Sequence, residues 1–121
     1  MIPARQGLPR SRRLARPAQF SAAMKQGRRV RDEYFSVFGI SNFLPHGRLG
    51  LTVSKKVSLR AVDRNRIKRQ VRESFRAHQA DMTGLDVVVM ATPQARNAGA
   101  PALRQSLHKH WERIAQQCKK S

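Results

Sequence analysis

A chain of 121 residues accommodates one domain rather than two, and 40% hydrophobic content is enough for a real core. The single cysteine, Cys118, excludes an intrachain disulfide and a thiolate metal cluster, and no apolar run approaches the ~20 residues of a membrane span. Lys and Arg number 25 against 7 Asp and Glu, a formal net charge of +18, far above the ~2–8 that solubility asks of a small domain, so a polyanion is the expected partner.

Residues 1–31 hold nine Lys and Arg and no acid. Residues 1–13, with Pro3, Gly7 and Pro9, are expected to form a flexible basic arm ahead of one domain at 14–118, with a tail at 119–121. The arginines have no apolar segment behind them, so this is not a secretory signal. An Arg-rich, acid-free start also fits a transit peptide; against that, Phe20, Met24 and a helix signal already fall inside it. A lone cysteine fits a reducing cytosol, and a cytoplasmic location is expected.

Pro17 suits the first turn of a helix and Gly27 its end, with Phe20, Ala23 and Met24 at helical spacing between them, so a helix is predicted over about 17–26. Tyr34 to Ser41 is aromatic and β-branched, a strand. Asn42 to Gly47 is a turn. Arg48 to Ser54 alternates: Leu49, Leu51 and Val53 point to a core, while Gly50, Thr52 and Ser54 make a small, polar face open to close approach by a ligand backbone. A central helix is predicted from Leu59 or Ala61 to near Met82, with Gly84 as terminator. Asp86 to Ala91 reads as a strand covered on both sides, and Thr92 to Ala100 as a loop. Pro101 opens a last helix, with Leu103, Leu107, Trp111, Ile114 and Cys118 as its stripe. The order α-β-β-α-β-α implies a single-domain α+β two-layer sandwich, a small mixed sheet packed by helices.

The central helix has two faces. At 100° per residue, Ile67, Val71 and Phe75 form an apolar stripe. Asn65, Arg69, Arg72 and Arg76 lie opposite, flanked by Arg66 and Lys68, and Arg64 falls nearer the stripe's edge. Only Asp63 and Glu73 are available to pair with seven Lys and Arg between positions 60 and 76. A solvated helix laced with i,i+4 ion pairs needs more acids than that. An uncompensated cationic face suits phosphate, and Asn65 can both donate to and accept from a sugar or base.

Two segments carry a specific resemblance. Leu49 to Val57 (LGLTVSKKV), followed by Ala61 to Arg76 (AVDRNRIKRQVRESFR), closely resembles the protein component of bacterial ribonuclease P. The family's Arg-Asn-Arg core, extended to an RNRIKR-type helix, stands complete as Arg64 to Arg69, preceded at the expected distance by a GLxVSKK-type strand end. The likeness spans roughly residues 10–117 and is concentrated in 49–76. It implies a sandwich with a left-handed βαβ crossover, against the ~98% preference for the right-handed form. It implies a large catalytic RNA as partner and precursor tRNA as substrate. The reaction is endonucleolytic, hydrolytic removal of the 5′ leader, with Mg²⁺ associated with the RNA subunit and no metal held by the protein alone. By position, Arg64, Asn65, Arg66, Lys68, Arg69 and Arg72 match the RNA-contacting helix, and Lys55 and Lys56 match the strand-end lysines. The resemblance places the leader in a cleft between the sheet face and the first helix, here Phe20, Met24, Phe38, Gly50, Thr52 and Ser54. Phe20 and Phe38 fit core packing equally well. Met24 departs from the family, which commonly has an aromatic residue there.

The protein itself shows no catalytic constellation. His46, His78, His108 and His110 sit beside no nucleophile and acid set in sequence, and His108 and His110, two apart, point to different helix faces. Carboxylates are too scarce for a protein-only two-metal nuclease. No membrane and no obligate protein partner are expected. The competing class is a structural RNA-binding protein of ribosomal type, and a third is a DNA-binding or surface-lytic basic protein. The complete RNRIKR helix after the SKK strand end favours the processing subunit.

Overall fold

In the computed structural model, which describes residues 10–14 and 16–119, Pro17 opens α1 (Pro17–Gln26), and the Gln19 side chain accepts from the Arg16 backbone N–H at 3.3 Å. The next element is one the sequence pattern does not announce: β1 (Arg28–Arg31), in which Val30 alone is buried between exposed arginines. One inward residue in four gives no readable alternation. Then follow β2 (Phe35–Ser41), β3 (Arg48–Thr52), α2 (Ala61–Ala77), β4 (Leu85–Ala91) and α3 (Ala100–Lys119), with short 3-10 turns at Gln79–Met82 and Pro93–Asn97. The expected order is thus corrected to α-β-β-β-α-β-α, and the class, α+β with a mixed sheet, stands. Residues 1–9 of the expected arm, and the last two residues of the tail, lie outside the described residues.

The sheet runs β1-β2-β4-β3. β2 pairs antiparallel with both β1 and β4, whereas β3 lies parallel to β4. A parallel pair needs a crossover connection, and α2 supplies it. On one face Phe35, Val37, Leu49, Val87 and Val89 pack with Ile67, Val71 and Phe75 of α2 and Leu103, Leu107, Trp111 and Ile114 of α3, all buried. Both predicted stripes are core, and burying such side chains contributes about 1.5–3 kcal/mol each. The Phe75 and Trp111 rings meet edge-on with centroids 5.6 Å apart, and the Trp111 indole donates to Ser74 Oγ at 2.7 Å. On the other face Leu14, Ala23, Phe38 and Val88 form a smaller cluster beneath α1.

α2 ends at Ala77, five residues short of the expected limit near Met82. His78 caps it, its N–H shared between the carbonyls of Ser74 and Phe75. Met82 is still buried, but from the following 3-10 turn, and Gly84, at φ 79°, turns the chain into β4 instead of closing α2. The segment before α1 is docked. Leu14 N–H donates to the Leu49 carbonyl at 2.9 Å, Arg13 bridges Leu49, and the Arg12 guanidinium donates to the Gln79 side chain. This segment covers the outer edge of β3, an edge that otherwise invites strand pairing.

Candidate nucleic-acid interface

The turn from β3 into α2 is built by Ser54 and Ser58. Ser54 lies beyond the end of β3, which stops at Thr52, and its Oγ accepts from Lys56 N–H at 3.2 Å. This holds Lys55 and Lys56 outward, both exposed. Buried Ser58 donates its hydroxyl to Asp63 at 2.8 Å, accepts from Arg60 N–H at 3.1 Å, and offers its carbonyl to the Arg64 guanidinium at 2.9 Å. Asp63 stands in the first turn of α2, where its charge favours the helix N-terminus.

Beyond this turn, α2 presents Asn65, Arg69 and Arg72 exposed, with Lys68 and Arg76 half-buried beside them. Among the described residues, no carboxylate is ion-paired with Lys55, Lys56, Lys68, Arg69 or Arg72. Asp63, one of the two acids on this helix, is spent on Ser58. Arg66 is different from its expected place on the free flank. Its guanidinium reaches across to the Arg96 carbonyl at 2.9 Å and the Ala98 carbonyl at 3.3 Å, tying α2 to the loop after β4. Arg64 and Arg66 thus brace α2, while the side chains of Asn65, Arg69 and Arg72 stand exposed.

The α1 face of the sheet is ordered in register rows. One row runs Arg29–Phe38–Val88–Gly50 across the four strands. It lies under α1: an added Cβ at Gly50 would come within 2.8 Å of the Phe20 ring and 3.2 Å of Leu14. Gly50 is therefore a seat for Phe20, not an opening for a ligand backbone. Phe38 is 7% exposed, with the Arg29 guanidinium 5.4 Å from its ring centroid, a cation–π approach. The next row, Arg31–Ser36–Met90–Thr52, is half-buried or exposed. It is a shallow floor of one cation, two hydroxyls and a thioether, and its Thr52 end leads into Ser54, Lys55 and Lys56. Met24, on α1, is 42% exposed. Arg29, Arg31, Ser36 and Met90 are missing from the residues singled out by sequence. The first two fall on the unread β1, and the pairing register that aligns the others is a tertiary property.

An arginine–carboxylate pair closes the far end of this face. Arg48 grips buried Asp86 with two 2.8 Å bonds, and Asn42 adds a third at 2.9 Å. The Asp86 partner holds the Arg48 guanidinium above its usual range, with burial opposing. Arg48 is thus a structural cation.

The family model described as ribonuclease P matches residues 8–115. The ribonuclease P protein component of Methylococcus capsulatus is 45% identical over 112 residues, covering 93% of this chain and 88% of that protein. The solved RNase P protein of Staphylococcus aureus superimposes with a TM-score of 0.78 at 35% identity, covering 86% of this chain and 94% of that one. That of Thermotoga maritima gives 0.75 at 31% identity, covering 84% and 96%.

Proposed function

Since this chain belongs to the ribonuclease P protein family, we propose that it binds the catalytic RNA through α2 and guides the 5′ leader of precursor tRNA over the open row of the sheet. One observation carries this reading: the Asn65–Arg69–Arg72 face is exposed, its arginines are ion-paired with no carboxylate among the described residues, and it is continuous in sequence with the exposed Lys55 and Lys56 turn. Arginine forks there take phosphate oxygens in two-point geometry, and Asn65 supplies a donor and an acceptor for a sugar or base edge. Each phosphate neutralised releases counterions, which is the main source of affinity.

The leader, a single strand, crosses Arg31, Ser36, Met90 and Thr52, with Phe20 and Met24 of α1 as the adjoining wall. Met90 and Met24 offer soft apolar contact, and the hydroxyls and Arg31 offer polar contact. Sequence tolerance is expected of such a surface, because contacts to backbone and base faces dominate.

Chemistry resides in the RNA subunit. Mg²⁺ bound there would supply an activated water and charge stabilisation for the leaving oxygen. Asp63, the acid in the first turn of α2, is bonded to Ser58. Any magnesium near Asn65 would be held largely by RNA phosphates. The protein's part is to place α2 between phosphate surfaces and so reduce the repulsion that magnesium alone must otherwise screen. No helix among the described residues is long and apolar enough to cross a membrane, and we place the complex in the cytoplasm, where precursor tRNA is made.

The test is reconstitution. The protein alone leaves precursor tRNA intact, and with catalytic RNA at low Mg²⁺ it restores or enhances 5′ cleavage. Equal cleavage with and without protein across salt and Mg²⁺ titrations removes this reading and leaves a structural RNA-binding role.

A further inference from the structure

His78 closes α2 and His108 stands on α3, 30 residues later, yet His78 Nε2 and His108 Nδ1 lie 3.0 Å apart, with the rings inclined at 62°. The far nitrogen of His78 is held, and that of His108 faces a carboxylate. His78 Nδ1 donates to the Ser74 carbonyl at 2.8 Å. A carbonyl only accepts, so this nitrogen bears the hydrogen and Nε2 presents its lone pair. His108 Nε2 faces the Glu112 carboxylate at 3.5 Å, one turn further along α3. Glu112 is not hydrogen-bonded at that distance, so His108 Nδ1–H donates to the His78 Nε2 lone pair in an N–H···N hydrogen bond. In the other His108 tautomer the hydrogen sits on Nε2, toward Glu112, and both inward lone pairs are open to one metal ion set off the line between them.

We propose that His78 and His108 form a two-imidazole site for a late first-row divalent metal, Zn²⁺, Ni²⁺ or Cu²⁺, that ties the end of α2 to α3. Orientation of each ring by a carbonyl or carboxylate on its other nitrogen is the usual support of a metal-bound histidine. With metal–nitrogen bonds of ~2.0–2.1 Å, nitrogens in neighbouring coordination positions stand roughly 2.9–3.4 Å apart. The observed spacing falls in that range. Imidazole nitrogens select these metals, whereas Mg²⁺ prefers oxygen and water. Among the described residues no third His, Cys, Asp or Glu completes a cluster, so water or an outside ligand fills the remaining positions. Access is open. The His108 side chain is 54% exposed, and a groove of about 680 Å³ lined by Gln70, Glu73, Ser74, His78, Gln105 and His108 runs alongside. On metal binding, the hydrogen on His108 Nδ1 moves to Nε2, on the side of Glu112, and the metal takes both inward lone pairs. Thirteen residues separate His78 from Asn65, about 20 Å along the helix axis, so the site is distinct from any magnesium at the RNA interface.

Nickel titration of the full chain, followed through ¹⁵N-labelled imidazole signals, tests this without any mutation. Paramagnetic broadening is expected at His78 and His108 first, with His46 and His110 unaffected at one equivalent. Calorimetry with Zn²⁺ is expected to show one site per chain, unchanged by excess Mg²⁺ and retained in His46→Ala. His78→Ala and His108→Ala each abolish saturable binding, and Glu112→Gln weakens it about 10-fold. Broadening led by His46, equal broadening of all four rings, zinc binding unchanged in His108→Ala, or saturation only at millimolar metal overturns the proposal.

Discussion

Asp32 sits in the turn between β1 and β2 and fastens that hairpin to α3. Its Oδ1 accepts from the backbone N–H groups of Tyr34 and Phe35 at 2.9 and 3.0 Å, and its Oδ2 accepts from the Ser106 hydroxyl at 2.5 Å. Buried His110 brings Nε2 within 3.2 Å of Oδ1, out of line for a hydrogen bond but near enough to act on the carboxylate's charge. Burial pushes the Asp32 carboxyl up, but Ser106, the two backbone donors and His110 together outweigh it and hold it below its ordinary 3.8. A depressed folded value means that ionised Asp32 adds stability above the unfolded value, and that this stability is lost as pH falls through the folded one. Ser106→Ala is therefore expected to cost about 1 kcal/mol at neutral pH. It should also flatten the acid limb of the stability curve, as urea melts at pH 7 and at pH 3 will show. Gly50 makes a second residue-scale case. The alternation of β3 marks it as small and on the face opposite Leu49, Leu51 and Val53, but its neighbour cannot be known from the chain. Because an added methyl meets the Phe20 ring, Gly50→Ala should cost about 1–3 kcal/mol. Phe20→Leu in the same chain should recover part of that cost in a double-mutant cycle.

α2 is the element whose sequence and structure agree most closely, and the reason is periodicity. Regular spacing of Ile67, Val71 and Phe75 fixes the buried side whatever lies beneath it, and that in turn fixes Asn65, Arg69 and Arg72 as outward. What periodicity cannot assign is the use of each arginine, since a long side chain reaches partners far away in sequence. Arg69→Ala should reduce the slope of log affinity against log salt by about one, with thermal melting unchanged. Arg66→Ala should weaken RNA binding too, but also lower stability by about 1–2 kcal/mol, because two carbonyls of the 96–98 loop lose their donor. Melting and salt-dependent binding measured on both variants separate the two roles. The end of α2 and the existence of β1 escaped the sequence for related reasons. The stripe continues to Met82 in angle while the backbone has already left the helix, and β1 buries one residue against the sheet edge.

At the scale of the whole molecule, a formal charge of +18 works against compaction, and the described structure neutralises little of it internally. Melting temperature should therefore rise with added polyanion. Saturation at about 100 times Kd contributes roughly 2.7 kcal/mol, measurable by thermal melts with a structured RNA at fixed ionic strength. Sulfate acts in the same direction, and neutral crowders leave the melting point nearly unchanged. The composition, the two helical stripes and the Leu49–Arg76 segment were sufficient by themselves to give a basic α+β domain with a cationic reading helix, because charge and apolar period are properties of the chain read in order. Only the tertiary structure decided the strand register that lines Arg31, Ser36, Met90 and Thr52 into one floor, the seating of Phe20 on Gly50, and the diversion of Arg64 and Arg66 into bracing. It also set His78 against His108. Each of these joins residues distant in sequence, and the distances between such residues are set by packing, which no local pattern encodes.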